Sequence, residues 1–566
     1  MNAPVPAATL RRRARCAGLA RAVVITAAAL GAALAGAAPV PPAPAGAPMA
    51  PIERAVGPAQ GELRRLYEAR RWAPLWLDAA GRPTRPARDA LALLADAAAD
   101  GLDPRDYRAA ELSAAAAALP AAAGDAGAAV AFDAALSRAV LRWLRELRSG
   151  RIDPRSIGFR VPPRSREHDW AAVLGAALAA ERIDAAAQEA RPALPQYGAL
   201  RALLARWRAI AADPAAAAPL PALPPKARSV KPGDAWPGVG ALRQRLVTIG
   251  DLAPQPAAPD DTAYDGALVD AVKRFQIRHG LDADGAIGRT TLAALAVAPA
   301  QRVRQIELSL ERLRWLPALD GRPFVAINIP MFRLWAVDPA AGRRGGPAEP
   351  LAMNVVVGRA LNTQTPLLFG EMSHIVIRPY WNVPRSIVRN ETLPALARDA
   401  SYLARNDMEI VAGPGDDARA VAPTSDAIKA LRDGRLRLRQ RPGPKNSLGL
   451  VKFMFPNDDA VYMHDTPARQ LFGRARRDFS HGCVRLERPL DLAQWVLSDQ
   501  PEWTRERIAA AMNGTRTLQV NLKQPLAVLL YYTTVLATAD GGAGWFADDI
   551  YRHDARLERA LAARPN

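Results

Sequence analysis

The sequence contains only two cysteines and six histidines in 566 residues, and aromatic residues make up 6% of it. Two cysteines, at positions 16 and 483, exclude the disulfide framework of a small secreted domain. No nucleic-acid-binding motif is present and aromatics are few, so we expect no nucleic-acid partner. The formal net charge of +19 suits an anionic partner, which could be nucleic acid, a membrane surface or the bacterial wall, although a coding bias toward Arg and Ala explains the charge equally well.

Acidic residues are absent before Glu53, whereas five arginines lie within the first 21 residues. An apolar run at 22–38 follows, with the small residues Ala35-Gly36-Ala37 as a cleavage signal. This order is typical of a secretory signal peptide, predicted at 1–37. The alternative is that this segment stays uncleaved as a membrane anchor, in which case we expect the protein to contact the membrane only through it. Both interpretations place the rest outside the cytoplasm, after a Pro/Ala-rich tether at 38–51.

The second cysteine lies in the stretch Ser480-His481-Gly482-Cys483-Val484-Arg485, and His464 precedes it by 19 residues. If the signal segment is removed, Cys483 is the single thiol of the mature chain. A thiol is only a few per cent thiolate at neutral pH, so a nucleophilic cysteine needs a base or a positive charge beside it. His464 is a candidate base. The structural alternative is a small buried cysteine with two hydrogen-bonded histidines.

Two neighbours of the thiol have candidate roles of their own. Gly482 removes a side chain next to the sulfur and allows a sharp turn that would aim backbone N–H groups at an oxyanion. Arg485 would either stabilise a thiolate or bind an anionic group of the substrate.

The segments 462–467 and 479–486 resemble the signature of L,D-transpeptidases with a YkuD-type catalytic domain: a His, a spacer, then Ser/Thr-His-Gly-Cys and a polar residue. The resemblance implies a nucleophilic Cys483, His464 as general acid and base, and no metal or cofactor. It also implies that the Tyr462 hydroxyl, with backbone N–H groups near the cysteine, binds the oxyanion, and that a backbone carbonyl orients the base. His481 and Ser480 are expected to shape the site. Trp381 either forms a wall of the substrate site or fills the core.

The sequence before the motif divides into helical segments. Residues 52–225 are rich in Ala and Leu with a helical period and show no metal-spaced His/Cys, which predicts a helical structural domain. Leu75-Trp76 and the segments 100–104 and 150–154 resemble the helical scaffold region of the large L,D-transpeptidases. Residues 226–300 predict three short helices and resemble a peptidoglycan-binding module through Phe275-Gln276 and the turn at 284–288; a spacer that binds nothing is the alternative. A connecting helix is predicted at 301–321.

From Phe324 the period changes to two, which predicts a β-rich region. The resemblance implies that a catalytic domain occupies 322–540. Residues 385–446 interrupt the strand pattern, and the family has a capping subdomain there. We expect a helical capping insertion that acts as a mobile lid, with a rigid decoration as the alternative. A helix or tail is predicted at 541–566, and the fold class is multidomain α+β.

The resemblance implies acyl transfer on peptidoglycan in the periplasm or cell envelope. Cys483 would attack the third-position carbonyl of a tetrapeptide stem, releasing D-Ala, and the third-position amine of a neighbouring stem would resolve the thioester to a 3-3 cross-link. Carbapenems should acylate the same cysteine. Two alternatives stay open: an L,D-carboxypeptidase or endopeptidase with water as acceptor, and a non-catalytic peptidoglycan-binding protein. The expected partners are peptidoglycan stem peptides, and other cell-wall synthesis proteins are possible further partners.

Overall fold

The computed structural model describes residues 49–56, 61–119, 126–161, 168–254, 262–319, 321–341, 349–361, 363–538 and 542–564. These residues form two compact units. One is Leu319–Tyr532, and the other combines the described parts of Ile25–Ala318 and Thr533–Asn566. The predicted signal peptide and all but the end of the predicted tether lie outside the described residues. Within the described ranges, no helix is both long and apolar enough to cross a bilayer, and no group of His, Cys, Asp and Glu could hold a metal ion.

The first part of the chain is helical, as its Ala- and Leu-rich period predicts. Two Asp-Pro pairs begin single 3-10 turns, because the carboxylates of Asp103 and Asp153 accept the backbone N–H two residues later. Asp133 is buried within the longest helix and accepts the hydroxyl of Tyr67 at 2.6 Å and the N–H of Trp76 at 2.8 Å, which fixes the aromatic cluster of this region. The helices are α1 Met49–Val56, α2 Gly61–Ala69, α3 Arg85–Ala95, α4 Ala109–Ala118, α5 Ala126–Ser149, α6 Trp170–Ala179, α7 Ile183–Ala190 and α8 Pro195–Ala212.

A small three-helix region follows, as predicted. Gln276 is buried and holds its turn: its amide donates to Asp284 at 3.0 Å, and its carbonyl accepts the N–H of Gly285 at 2.9 Å. Phe275 beside it is 1% exposed and belongs to the core of this region. The elements are β1 Ser229–Val230, α9 Val239–Ile249, α10 Gly266–Arg278, β2 Ile287–Gly288, α11 Arg289–Leu295 and the connecting helix α12 Pro299–Leu313.

The unit Leu319–Tyr532 is built on a nine-stranded sheet. Its strands are β3 Phe324–Asn328, β4 Arg333–Val337, β5 Leu351–Gly358, β6 Leu368–Ile377, β11 Val451–Met454, β12 Met463–His464, β13 Asp478–Ser480, β14 Val484–Leu486 and β15 Leu518–Tyr531. Their order is β13-β5-β14-β12-β11-β6-β15-β3-β4, and β4 also pairs with β5, so the sheet closes on itself like a barrel. Helices α17 Pro489–Val496 and α18 Arg505–Asn513 connect β14 to β15.

An insertion between β6 and β11 folds around its own hydrophobic core. The prediction of a helical insertion at 385–446 is incomplete, because the segment also contains a four-stranded sheet that begins earlier, at Trp381. Its strands run in the order β7-β10-β8-β9. Sequence periodicity missed these strands because they are only two to five residues long. The elements are β7 Trp381–Asn382, α13 Arg385–Ile387, a π-helical turn Val388–Thr392, α14 Leu393–Arg398, α15 Tyr402–Arg405, β8 Met408–Ala412, β9 Arg419–Val421, α16 Ser425–Arg432 and β10 Arg437–Gln440.

The end of the chain belongs to the helical unit. Strand β16 Val535–Leu536 pairs with β17 Trp545–Phe546, and helix α19 His553–Ala562 closes the chain. Phe546 packs against Trp207 with a 5.2 Å centroid distance, and Arg312 pairs with Asp554. The unit that contains the nine-stranded sheet therefore ends at Tyr532 rather than at the predicted residue 540.

Candidate active site

Strand register brings the predicted site residues to one face of the nine-stranded sheet. His464 lies opposite Lys452 on one neighbouring strand and opposite Arg485 on the other. Paired residues point to the same face, and so does Tyr462, two residues before His464. We call this face, with Lys452, Tyr462, His464 and Arg485, the polar face. The alternate residues Met463, Phe453 and Val484 are fully buried on the other face, which explains why the strands hold this register.

Cys483 lies beside Tyr462. The N–H of Val484 donates to the carbonyl of Tyr462 at 3.0 Å, so the preceding residue, Cys483, is level with Tyr462 on the adjacent strand. The half-buried thiol accepts hydrogen bonds from the backbone N–H and the phenol of Tyr462. The Tyr462 ring in turn lies 5.8 Å, centroid to centroid, from the imidazole of His464. The structure therefore brings the thiol, the phenol and the imidazole together.

A backbone carbonyl orients the imidazole, as the family resemblance implies. His464 Nδ1 lies 2.5 Å from the carbonyl oxygen of Asp465. A carbonyl can only accept, so Nδ1 carries the proton and Nε2 is free to accept one. The Asp465 carboxylate is engaged elsewhere, with the N–H groups of Leu450 and Thr466 and with Arg469.

Burial favours the neutral forms of the His464 imidazole and the Cys483 thiol. Burial, and secondly the charge of Arg485, lower the pKa of His464 to about 3. Burial also raises the pKa of the Cys483 thiol, although hydrogen bonds from Tyr462 and the charge of Arg485 oppose this rise. The resting pair is thus a thiol and a neutral imidazole, and the imidazole is in the form that accepts a proton.

Side-chain hydrogen bonds fix the conformation of the turn before the cysteine. Ser480 Oγ donates to the carbonyl of Cys483 at 2.5 Å and accepts the N–H of Gly482 at 3.2 Å. Thr365 Oγ1 donates to the Gly482 carbonyl at 2.7 Å. Gly482 has φ +116°, a region that favours glycine, whereas an added Cβ would meet no atom closer than 3.8 Å. The turn therefore requires glycine at position 482 because of this φ angle, and not because a side chain there would clash.

The N–H of Cys483 is a backbone donor of this turn that is available to an oxyanion. The N–H of Gly482 donates to Ser480 Oγ. The N–H of Cys483 has no acceptor among the residues that the structure describes.

The insertion reaches the site through two contacts. The indole of Trp381, on β7, donates to the phenol oxygen of Tyr462. His481 Nε2 lies 2.6 Å from a carboxylate oxygen of Glu391, in the π-helical turn. Trp381 thus packs at the edge of the insertion's core and also touches the site. The His481 ring faces the insertion.

Arg485 is half-buried without a counterion. Burial, then the nearby Arg359, lower the pKa of its guanidinium. Its Nε is buried without a hydrogen-bond partner, and no ion pair joins Arg485 to a described carboxylate. On the other side of His464, burial lowers the pKa of Lys452, an effect opposed by Asp416 of the insertion.

Sequence reasoning missed four residues of this site: Lys452, Arg359, Thr365 and Glu391. Lys452 lies in a predicted strand, but its position opposite His464 follows only from the pairing of β11 with β12. Arg359 and Thr365 reach the motif from the loop after β5, where the N–H of Arg359 donates to the Ser480 carbonyl at 3.0 Å. No local pattern marks these contacts.

Three family models match separate parts of the chain. They are a "Scaffold domain" at 61–204, a "Putative peptidoglycan binding domain" at 237–295, and the YkuD "L,D-transpeptidase catalytic domain" at 322–517. The last match contains all eight predicted site residues. Peptidoglycan domains indicate a function in the cell envelope.

Two known proteins are similar to parts of this chain. A Haemophilus influenzae protein described as "Putative L,D-transpeptidase" is 31% identical over 259 residues, which are 45% of this chain and 49% of the relative. The match thus spans about half the length of that relative. A crystal structure of an L,D-transpeptidase (residues 123–326) from Xylanimonas cellulosilytica is 17% identical, covers 55% of this chain and all of its own, and superposes with a TM-score of 0.16. So low a score supports no structural argument.

The matched regions, taken with the closed sheet and its insertion, agree on one architecture. Residues 322–517 match a YkuD-type L,D-transpeptidase catalytic domain, and the regions before them match a scaffold domain and a putative peptidoglycan-binding domain.

Proposed function

We propose that this protein cross-links peptidoglycan by cysteine-dependent acyl transfer from a tetrapeptide stem to a neighbouring stem, giving 3-3 links. The observation that carries the proposal is the grouping of the Cys483 thiol, the Tyr462 phenol and the His464 imidazole on the polar face. A neutral imidazole whose Nδ1 is engaged has the form of a general base for a thiol.

The first half of the reaction forms a thioester. As Sγ of Cys483 attacks the carbonyl carbon of the third stem residue, the thiol proton moves to Nε2 of His464. The tetrahedral intermediate then expels the amine of D-Ala, which takes that proton from His464. The C–N bond is broken, the C–S bond is formed, and free D-Ala leaves.

The second half transfers the acyl group. The third-position amine of a second stem attacks the thioester carbonyl and gives its proton to His464, and the sulfur leaves as the thiol after taking that proton back. The product is a peptide bond between two third-position residues. Water in place of the amine would give a shortened monomer, and the experiment below separates the two acceptors.

Two donors are placed to bind the oxyanion. The N–H of Cys483 has no acceptor among the described residues, and the phenol of Tyr462 is adjacent to the sulfur. Burial raises the pKa of that phenol, so it stays protonated and able to donate. Removing one such donor typically costs about 10²–10³ in rate.

The insertion would act as a lid that admits the stem peptide and excludes water from the thioester. Its contacts with Tyr462 and His481 join it to the polar face at two points. Opening must break both contacts, since Trp381 and Glu391 belong to the insertion. Hydrogen exchange should show faster exchange of the strands β7 and β10 than of β11 and β12, and protection of β7 and β10 when a stem peptide binds.

The decisive experiment incubates purified protein with disaccharide-tetrapeptide and compares the wild type with Cys483→Ala. Mass spectrometry should detect dimers and free D-Ala with the wild type only. Shortened monomers without dimers would show that the acceptor is water rather than an amine. Equal turnover by Cys483→Ala, or sacculus binding without any acyl adduct, would overturn the enzymatic proposal. A carbapenem should add its mass to Cys483 in the wild type and not in the variant.

A periplasmic location is part of the proposal and rests on residues 1–37. Expression of the full chain followed by fractionation and N-terminal sequencing tests it. A mature N-terminus near residue 38 indicates cleavage, and membrane-bound full-length protein indicates a retained anchor.

A further inference from the structure

We infer that Arg485, together with Arg359, binds the C-terminal carboxylate of the donor peptide, one residue beyond the bond that Cys483 cleaves. This inference rests on the proposed function, and it assigns the residues that select the donor's terminus. Three observations carry it: the position of Arg485 relative to the thiol, its lack of a counterion, and the second guanidinium beside it.

The position follows from the strand. Arg485 is two residues after Cys483, so both side chains point to the polar face, with their backbones about 6.6 Å apart along the strand. In a tetrapeptide donor, the terminal carboxylate carbon is three bonds from the scissile carbonyl carbon, at most about 4.3 Å away. A carbonyl held at the sulfur therefore places the carboxylate toward Arg485, within the length of an arginine side chain.

The missing counterion distinguishes Arg485 from Arg439 of the same unit. Arg439, also largely buried, pairs with Glu409 at 2.7 Å. Arg485 has its Nε buried without a partner, and no described carboxylate pairs with it. A half-buried guanidinium without a partner is unfavourable until an anion binds, so the site is prepared for a planar carboxylate that can accept two hydrogen bonds.

Arg359 supplies a second positive charge. Its N–H is bonded to the carbonyl of Ser480, which fixes its backbone beside the cysteine turn. The exposed Arg359 is close enough to Arg485 for their charges to repel. Two like charges held together in this way cost stability, and a bound carboxylate between them would relieve that cost.

The alternative role for Arg485 is stabilisation of the Cys483 thiolate. The two roles differ in what they require of the substrate. A carboxylate site discriminates between a donor that ends in a free acid and one that ends in a carboxamide, whereas a thiolate stabiliser affects both donors equally. A longer pentapeptide would also place a neutral amide where the carboxylate is expected.

The test measures binding in a protein that cannot turn over. In the Cys483→Ala background, calorimetry compares disaccharide-tetrapeptide ending in D-Ala with the same compound ending in D-Ala amide. We expect the acid to bind roughly ten- to a hundredfold more tightly. Adding Arg485→Gln should abolish this preference, and Arg485→Lys should retain part of it because it keeps the charge without the planar fork. Arg516→Gln, an exposed arginine of the same unit, is the matched control and should keep the full preference.

Turnover by the protein with an intact cysteine separates this inference from the proposed function. Loss of the acid preference in kcat/KM for Arg485→Gln supports the inference. Equal losses with acid and amide, or an acid preference that survives Arg485→Gln in the binding assay, overturn it. If the binding preference depends on Arg485 but the wild type releases no D-Ala, the proposed function falls and the carboxylate site stands.

Discussion

A buried charge network in the helical unit and the polar face of the catalytic unit treat charged groups in opposite ways. In the helical unit, Glu311 and Arg314 are both fully buried and are surrounded by partners. Glu311 accepts from the backbone N–H groups of Arg151 and Ile152 and pairs with the guanidinium of Arg314 at 2.9 Å. Burial acts to raise the pKa of Glu311, but its neighbours Arg151 and Arg314 leave it below its usual value.

On the polar face of the catalytic unit, the same kinds of group lack partners. Arg485 has an unpaired Nε, and the Cys483 N–H has no acceptor among the described residues. The difference separates structure from function: a satisfied buried network positions helices, whereas open donors beside a thiol leave positions for a ligand. The following predictions test this contrast, from the largest expected effect to the smallest.

Removing the base should give the largest effect on chemistry. We expect His464→Gln to slow thioester formation about 10²–10⁴-fold, because the amide cannot accept the thiol proton. Acylation by a carbapenem, followed by intact mass, measures this step. His374→Gln is the matched control, since His374 is also a histidine of this sheet with a pKa lowered by burial, yet it is bonded to Ser373. Equal slowing by both variants would contradict the assignment of the base.

Breaking the satisfied network should instead affect stability. We expect Glu311→Ala to lower the free energy of unfolding by about 3–5 kcal/mol, because it leaves Arg314 and Arg151 buried without their carboxylate. Denaturant unfolding of the full chain measures this change. Glu68→Ala is the control: its pair with Arg64 is half-exposed, so we expect a change within about 0.5 kcal/mol.

The Glu311→Ala variant separates a structural from a catalytic role only if it still reacts with a carbapenem. At low denaturant, Glu311→Ala should still react with a carbapenem at nearly the wild-type rate, whereas His464→Gln should unfold at the wild-type denaturant concentration. A stable Glu311→Ala protein would show that the buried network contributes little.

Removing the phenol tests the second oxyanion donor proposed beside the Cys483 N–H. We expect Tyr462→Phe to lower the rate of acylation about 10²–10³-fold, because one oxyanion donor is lost. Trp381→Phe removes only the indole that donates to that phenol and should have a smaller effect. An equal or larger loss with Trp381→Phe would mean that the insertion, rather than the phenol, controls the step.

The sequence indicated the parts of this structure that depend on local patterns. The three short helices predicted within 226–300 correspond to α9, α10 and α11, because their apolar period and the Asp284-Gly285 turn lie within one short stretch. The grouping of Cys483 with His464 was expected from the motif. The insertion's sheet, the place of Lys452 opposite His464 and the return of residues after Tyr532 to the helical unit depend on pairings distant in sequence, and no local pattern specifies them.

The smallest predicted effect concerns acid stability, and it distinguishes the two units again. Burial lowers the pKa of His464 in the catalytic unit and of His279 and His553 in the helical unit; for His464 and His553 it falls to about 3. An unfolded histidine titrates near 6.5, so the unfolded state binds more protons between pH 6.5 and 3. Stability is therefore full above about pH 6.5 and falls as the pH drops, by up to about 2 kcal/mol per histidine at pH 5.

The helical unit contains the buried His279 and His553, whereas the catalytic unit contains the buried His464 and the half-buried His374, whose pKa is also lowered by burial. We therefore predict that acid weakens the helical unit more. Hydrogen exchange of core amides at pH 7 and pH 5, corrected for the intrinsic rate, measures each unit separately. His553→Phe should remove part of the loss in the helical unit, because phenylalanine keeps the ring contact with Phe159 and has no proton to gain. His168→Gln should leave the loss unchanged, since His168 is partly exposed. The carboxylates are the same in the variant and the wild type, so their contributions to the pH dependence cancel in the comparison. An identical pH dependence for His553→Phe and the wild type would show that the His553 imidazole is not the source of the stability loss.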